Sequence, residues 1–476
     1  MDSQREILNT MTKRTGARYS ALAIHNADEL VFGHAPRPVR VGNGMVIGGG
    51  TVYPEINFTL PPMEITAETM PDVQSQYAGM VEAVCARAVE LQVPGLVVEF
   101  ELLPPLTIEP DWGADITAIL RITLDKYARA SGLKSALRVT PNDIRPYTRP
   151  PKLYHGEMWD RMMRSFELCA VAGADMLSIE STGGKEVCDE ALLYGDLNMA
   201  AFAIGVLACR DMANLWDGIA MATGKHGAIA ASDGAGGFGN TAMMLAHQRY
   251  IPKVWAAVVR VMTVARSLVA YERGATGPGK DAAYEGPYIK AITGCPISVA
   301  AAEAAVAFPT PFGNIARAAA DLLSNDSIQN VKLLGGMAPA VSVEQLAYAA
   351  RMLNCASARG RAAALNLRDC LVESDARLDP QAWVLRPDVV IDIAGQIVAE
   401  PTPYRRVRRA AQAALAALRA AHAGGKLMIP DTELGWLERL SRQADQLPEE
   451  ENEFIAGAVR GVDSGRVRLE DYGVLA

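Results

Sequence analysis

From about residue 74 to residue 334 the chain alternates stretches of helical spacing with short runs that are apolar throughout. That rhythm limits the fold more than any other feature. Helix-like segments at 74–92, 114–131 and 158–172 lead into runs at 95–98, 135–139 and 175–179. Further runs follow at 228–231, 268–270, 297–299 and 331–334. Wholly apolar strands between amphipathic helices mark a parallel sheet covered on both faces. With 46–47 and 203–207 as marginal candidates, the count is about seven to nine, which suits an eightfold barrel better than an open sheet.

Three divisions follow from this pattern. Residues 1–75, rich in Gly and Pro, read as an extended arm leading into the barrel; residues 76–350 carry the barrel; residues 351–476 read as a helical extension. The expected class is therefore α/β, a TIM (β/α)8 barrel with an N-terminal arm and a C-terminal helical region. A net charge of −8 argues against nucleic acid as a partner, since phosphate backbones favour basic faces. The first residues lack a basic segment followed by an apolar one, and Arg260 and Arg266 interrupt the longest apolar stretch. The expectation is a cytoplasmic protein with no membrane contact, and a homo-oligomer. The seven cysteines are scattered without a C-x-x-C pair, and the histidines form no i, i+4 pair, so no all-His or all-Cys metal cage is visible.

Several of the apolar runs end in carboxylates. Glu99, Glu101, Glu180 and Asp233 fall at strand ends, where a barrel gathers its chemistry, and Asp281 and Glu285 sit in a loop after another strand. Single strand-end acids are often helix caps or loop anchors. Several on one face suit a hard metal, a cationic substrate or acid/base work. Gly234, Gly236, Gly237 and Gly239 satisfy the spacing of a dinucleotide fingerprint, but no strand ending in an acid follows about 20 residues on. Those glycines are better read as letting a flat ligand approach, or as a tight turn. Gly183-Gly184-Lys185 is either a phosphate-binding turn or a strand-to-helix loop. The basic run 405–409 is either a face for an acidic partner or a solvated helix surface.

Ordered blocks carry a family resemblance. They are Leu177-Ser178-Ile179-Glu180-Ser181 with Gly183-Gly184-Lys185-Glu186, Asn240-Thr241-Ala242-Met243, and Ser267 to Glu272. With them go Gly277-Pro278-Gly279-Lys280-Asp281 followed by Tyr284-Glu285, Arg138, Asp143-Ile144-Arg145, and Pro54-Glu55-x-Asn57. From about residue 25 onward the chain resembles the methyltransferase (B) subunit of methanol:corrinoid methyltransferases. The resemblance implies a TIM barrel that passes a methyl group to Co(I) of a corrinoid on a separate protein. It also implies a zinc at the mouth that activates methanol as a Lewis acid. No D-x-H-x-x-G corrinoid motif exists here, because Ala420 stands where the Asp before His422 and Gly425 belongs. The corrinoid must then come from a partner.

The pattern breaks at the metal. The family's zinc is held by a glutamate, matching Glu180, and two cysteines, which fall at Gly236 and Ala282. Neither residue has a side-chain donor. Three readings stay open: substitute ligands among Asp233, Asp281 and His155; a donor with a better leaving group than methanol, such as a quaternary amine, sulfonium or methyl ether; or loss of catalysis, leaving a barrel that only binds a corrinoid protein. On the second reading Glu180, Asp233, Asp281 and Glu285 are the catalytic candidates. Glu99, Glu101, Arg138, Asn240 and Tyr284 would bind substrate, and Gly234, Gly236, Gly237 and Lys280 would face the cofactor or docked partner.

Overall fold

The computed structural model describes residues 18–58, 60–61, 63–281, 285–299 and 338–474. A hairpin of β1 (His34–Val41) and β2 (Met45–Gly49) precedes five parallel strands in the order β3 (Glu55–Phe58), β4 (Leu96–Glu101), β5 (Ser135–Thr140), β6 (Met176–Ile179) and β7 (Ile229–Asp233). Beside β7 lies β8 (Gly279–Asp281), which pairs in parallel with β9 (Ile297–Val299). Ser298 of β9 donates a hydrogen bond to Glu55 of β3, so the last described strand meets the first across the ring. Helices Met70–Glu90, Pro110–Ser131, Glu157–Val171, Cys209–His226 and Lys253–Glu272 cover the outside. The protein is a TIM barrel. The strand expected at 331–334 lies outside the described residues.

Side-chain alternation explains how the barrel is filled. On β4, Val98 and Phe100 face the helices while Val97, Glu99 and Glu101 occupy the alternate positions. On β5, Leu137 and Val139 face out, and Ala136 and Arg138 alternate with them. At the base Val97, Ala136, Met176 and Ala231 form a separate apolar cluster with Val41 and Met45 of the hairpin. Asn43 at the hairpin tip donates to Leu133 O at 3.2 Å and accepts from Ser135 N at 2.6 Å. Part of the segment read as an arm is thus a stopper in the barrel floor.

Two expected strands are helical. Ala203–Ala208 is a π-helical turn between helices Leu197–Phe202 and Cys209–His226, and residues 268–270 lie inside Lys253–Glu272. Both runs are buried on every side, so neither shows the one-sided spacing that would reveal a helix. Residues 46–47 are in a strand, but it belongs to the hairpin. Lys253–Glu272 is long and apolar enough to cross a membrane by length and composition, yet its whole apolar window is buried within the protein.

C-terminal helices supply that cover. Pro403–Ala423 packs along Lys253–Glu272, with Pro387–Ala399 and Asp431–Gln446 beside it. The basic run is spent in these contacts. Arg406 is buried and bonds Glu272 at 2.9 Å and Tyr19 O at 2.8 Å, while Arg405, Arg408 and Arg409 pair with Glu450, Glu449 and Glu400.

Candidate active site

The segment after β6 carries Glu180, and almost every residue behind it is tied down. Ser181 N donates to Asp233 at 3.1 Å, Thr182 N and Oγ1 both donate to Asp143 at 2.8 Å, and Gly184 N donates to Tyr472 Oη at 3.0 Å. A Cβ at Gly183 would come within 2.1 Å of Asp211 Oδ2, so only glycine lets the loop pass that carboxylate. Asp143 and Asp211 share Arg145, at 2.7 and 2.6 Å, and all three are buried. Lys185 pairs with Asp189 four residues along its own helix. The Gly-Gly-Lys turn is therefore a strand-to-helix connection braced from beneath.

Two of the expected mouth acids belong to this bracing. Asp233 is buried and accepts from Arg266 at 3.1 Å; Arg266 also reaches Ser181 Oγ at 2.7 Å and stacks 4.8 Å above the Phe238 ring. Burial raises the Asp233 carboxyl to about 6, against the pull of Arg266 and Ser181. Just before it, Ser232 adopts φ +138°, where β7 slips one residue against β6. Such a bulge turns the strand end and stores strain beside a site. Glu285, also buried, accepts from Ala235 N at 2.8 Å and from Ser267 Oγ, which fixes the glycine loop.

The remaining acids converge on one ammonium. Lys280 of β8 stands 3.0 Å from Glu99, 3.1 Å from Glu180, and in an ion pair with Glu101. Burial disfavours its charge, but the three carboxylates outweigh burial and hold it well above the ordinary lysine value. Burial pushes Glu99 up, opposed by Lys280 and Arg138, while the charge of Lys280 holds Glu101 below the usual carboxylate range. Thr140 donates to Glu99 at 3.0 Å and Asn57 to Glu101 at 3.0 Å. Beneath them Arg138 is fully buried and bonds Glu55 at 2.7 Å, with Ser178 and Pro278 O each at 2.9 Å. Glu180 and Glu101 are the open members, with 43% and 42% of their side chains exposed.

Gly236 lies against Glu180. A Cβ there would sit 2.8 Å from Glu180 Oε2 and 3.0 Å from Oε1. The glutamate carboxylate thus fills space that a side chain at 236 would contest. Gly234 precedes this residue and Gly237 packs toward Lys185. Asn240 ends the π-turn Gly236–Asn240, and its Oδ1 is buried with no hydrogen-bond partner among the described residues. His155 is exposed on the loop before Glu157–Val171. Asp281 closes β8, its side chain outside the description; Ala282 and Tyr284 lie outside the described residues.

A zinc does not fit the described donors. Glu180 is engaged by an ammonium, Gly236 offers no side chain, Asp233 is bound to Arg266, and the three glutamates that do converge are taken up by Lys280, so no metal cage exists among the described residues. Glu55, Asn57, Ser178 and Arg266 are site residues that the sequence did not single out individually. The polar alternation of Glu55 and Asn57 in an otherwise apolar strand was the available signal.

The chain as a whole is similar to known proteins. Residues 16–473 match the model of the methanol-cobalamin methyltransferase B subunit family, MtaB. A methanol–corrinoid protein co-methyltransferase of Methanosarcina barkeri is 33% identical over 442 residues, covering 92% of this chain and 95% of that one. The crystal structure of the methanol:cobalamin methyltransferase complex MtaBC from Methanosarcina barkeri contains a chain that superposes with a TM-score of 0.86 at 31% identity. That match covers 96% of this chain and 99% of its counterpart. With the family model, the sequence identity and the fold all in agreement, this chain belongs to the methanol-cobalamin methyltransferase B subunit family.

Proposed function

We propose that the protein transfers a methyl group from a small cationic donor, a quaternary ammonium or sulfonium compound, to Co(I) of a corrinoid carried on a separate protein. Family membership and the relative found in a methanol:cobalamin methyltransferase complex support the corrinoid-dependent methyl transfer. The observation that carries the donor class is the charge of the mouth. Four carboxylates, Glu55, Glu99, Glu101 and Glu180, face two cations, Arg138 and Lys280, so the described side chains leave the mouth net negative even with a proton on Glu99. A negative, partly buried site favours a cation over a neutral alcohol.

The chemistry is an in-line displacement. The Co(I) lone pair forms the Co–C bond as the C–N bond breaks; its electron pair stays on nitrogen, and a neutral tertiary amine leaves. No proton and no Lewis acid is needed at the leaving group, unlike an alcohol, whose hydroxide leaves poorly. Glu180 holds the cationic head and the braced loop fixes its angle to the attacking metal. As positive charge is lost from nitrogen in the transition state, the open, half-exposed carboxylate tolerates its departure better than a closed cage would.

A second reading, methanol as donor, is favoured by the named activity of the Methanosarcina barkeri relative. Consumption of cob(I)alamin, followed by absorbance with tetramethylammonium, trimethylsulfonium, a methoxyarene and methanol, separates the two. An onium donor should exceed methanol by at least about tenfold in kcat/KM, the difference expected from about 1.4 kcal/mol of charge stabilisation. Preference for methanol would overturn the donor assignment. Inactivity with every donor, also with a corrinoid protein present, would leave a binding barrel.

A further inference from the structure

Resting on that functional reading, we infer that this mouth is assembled from within the chain: the ammonium of Lys280 gathers Glu99, Glu101 and Glu180, so the site holds together and works without a divalent ion. Three strands contribute to this arrangement. Glu99 and Glu101 come from β4, Glu180 follows β6, and Lys280 lies on β8, opposite Ser298 of β9. Their side chains meet only because something positive sits between them, since three carboxylates sharing a partly buried space repel one another.

The ammonium meets each requirement of that position. It is 12% exposed and contacts all three acids. It also occupies one edge of the glutamate that a metal would use, at 3.1 Å from Glu180 Oε1. Gly236 completes the arrangement. With no Cβ, it lets the Glu180 carboxylate lie flat on the glycine loop, within reach of Lys280. A side chain at 236 would push that carboxylate outward and loosen the pair. The ammonium and the glycine are thus two halves of one solution: the carboxylate is oriented by a hydrogen-bonding cation from the chain itself rather than by an ion taken from solution.

Lys280 is on this account a positioning residue, acting through Glu180, and metal binding reads its role independently of turnover. Zn2+ and Mn2+ are titrated into the full-length wild-type protein and into Lys280→Met after chelator dialysis, by calorimetry and by the manganese spin-resonance signal. Wild type should bind neither ion stoichiometrically. Lys280→Met, with three acids freed, should take up about one Mn2+ per chain, because hard cations favour carboxylate oxygens. In the methyl-transfer assay, dialysed wild type should keep its rate within about twofold, Lys280→Met should lose at least about tenfold, and Lys280→Arg should recover part of that loss.

Stoichiometric zinc on wild type, or abolition of its activity by chelation, overturns the proposal while leaving corrinoid methyl transfer standing. Lys280→Met with unchanged rate and no gain of Mn2+ binding overturns it as well. Circular dichroism checks that the variant folds; if it does not, wild-type titration and chelation still decide. If no donor is turned over at all, the functional reading fails while the metal titrations still judge the role of Lys280.

Discussion

Two ion-pair systems lie side by side at the top of this barrel, built from the same kinds of residue and doing opposite things. Behind the Glu180 loop, Arg145 binds Asp143 and Asp211, and Arg266 binds Asp233; every partner is buried. At the mouth, Lys280 faces three glutamates, and two of those keep over two-fifths of their side chains exposed. The first system uses planar guanidiniums, whose forked donors lock carboxylates in one orientation. The second uses a point charge on a flexible stem, shared among more acids than it can saturate. In the first, Asp143 and Asp233 are spent on backbone N–H groups of the loop and Asp211 on Arg145; acids in the second remain available to a ligand. Burial and stoichiometry, not residue type, separate frame from site.

The contrast breaks if the frame proves dispensable or the mouth proves structural. Arg145→Met should have the largest effect, leaving Asp143 and Asp211 buried without a counter-charge. A loss of about 3–5 kcal/mol in denaturant unfolding is expected, and a loss below 1 kcal/mol would refute the frame. Asp233 should show the next largest effect, through pH. Its folded carboxyl titrates at about 6 against an unfolded value of 3.8, so the native state holds the proton more tightly. Stability should therefore fall as pH rises from about 4 to 6, by on the order of 2–3 kcal/mol, and level off above. Asp233→Asn should lack that slope, as unfolding series at several pH values would reveal. Smallest should be Glu101→Gln, at the half-exposed rim: under about 1 kcal/mol. A larger loss would place the mouth within the structural frame.

The sequence made the barrel legible where strands are apolar and end in acids. β5 to β7 fall within a residue or two of where hydrophobic runs place them, and β4 runs three residues further, through Glu101. Legibility failed in two opposite situations. β3 and β8 are short and polar because Glu55, Asn57 and Lys280 face the interior, so no apolar run announces them. Residues 203–207 and 268–270 are so thoroughly buried that their helices show no polar face. In the site, residue type and strand-end position singled out Glu99, Glu101 and Glu180, which do meet, around Lys280, a residue expected to face the cofactor or docked partner. The same reasoning placed Asp233 and Glu285 at the mouth, and they turn instead to Arg266, Ser267 and Ala235 N. Position along a strand says which end a carboxylate reaches; the facing partner, distant in sequence, decides whether it meets ligand or loop.

The hairpin in the barrel floor has a consequence for traffic. With Val41 and Met45 seated among Val97, Ala136, Met176 and Ala231, the hairpin closes the barrel floor among the described residues. On the proposed function, donor and corrinoid would then share the mouth at the strand ends. A corrinoid protein docked there would shut the donor in, and its departure would let the product out. Such an architecture would set the order of arrival: donor first, corrinoid second, release in reverse.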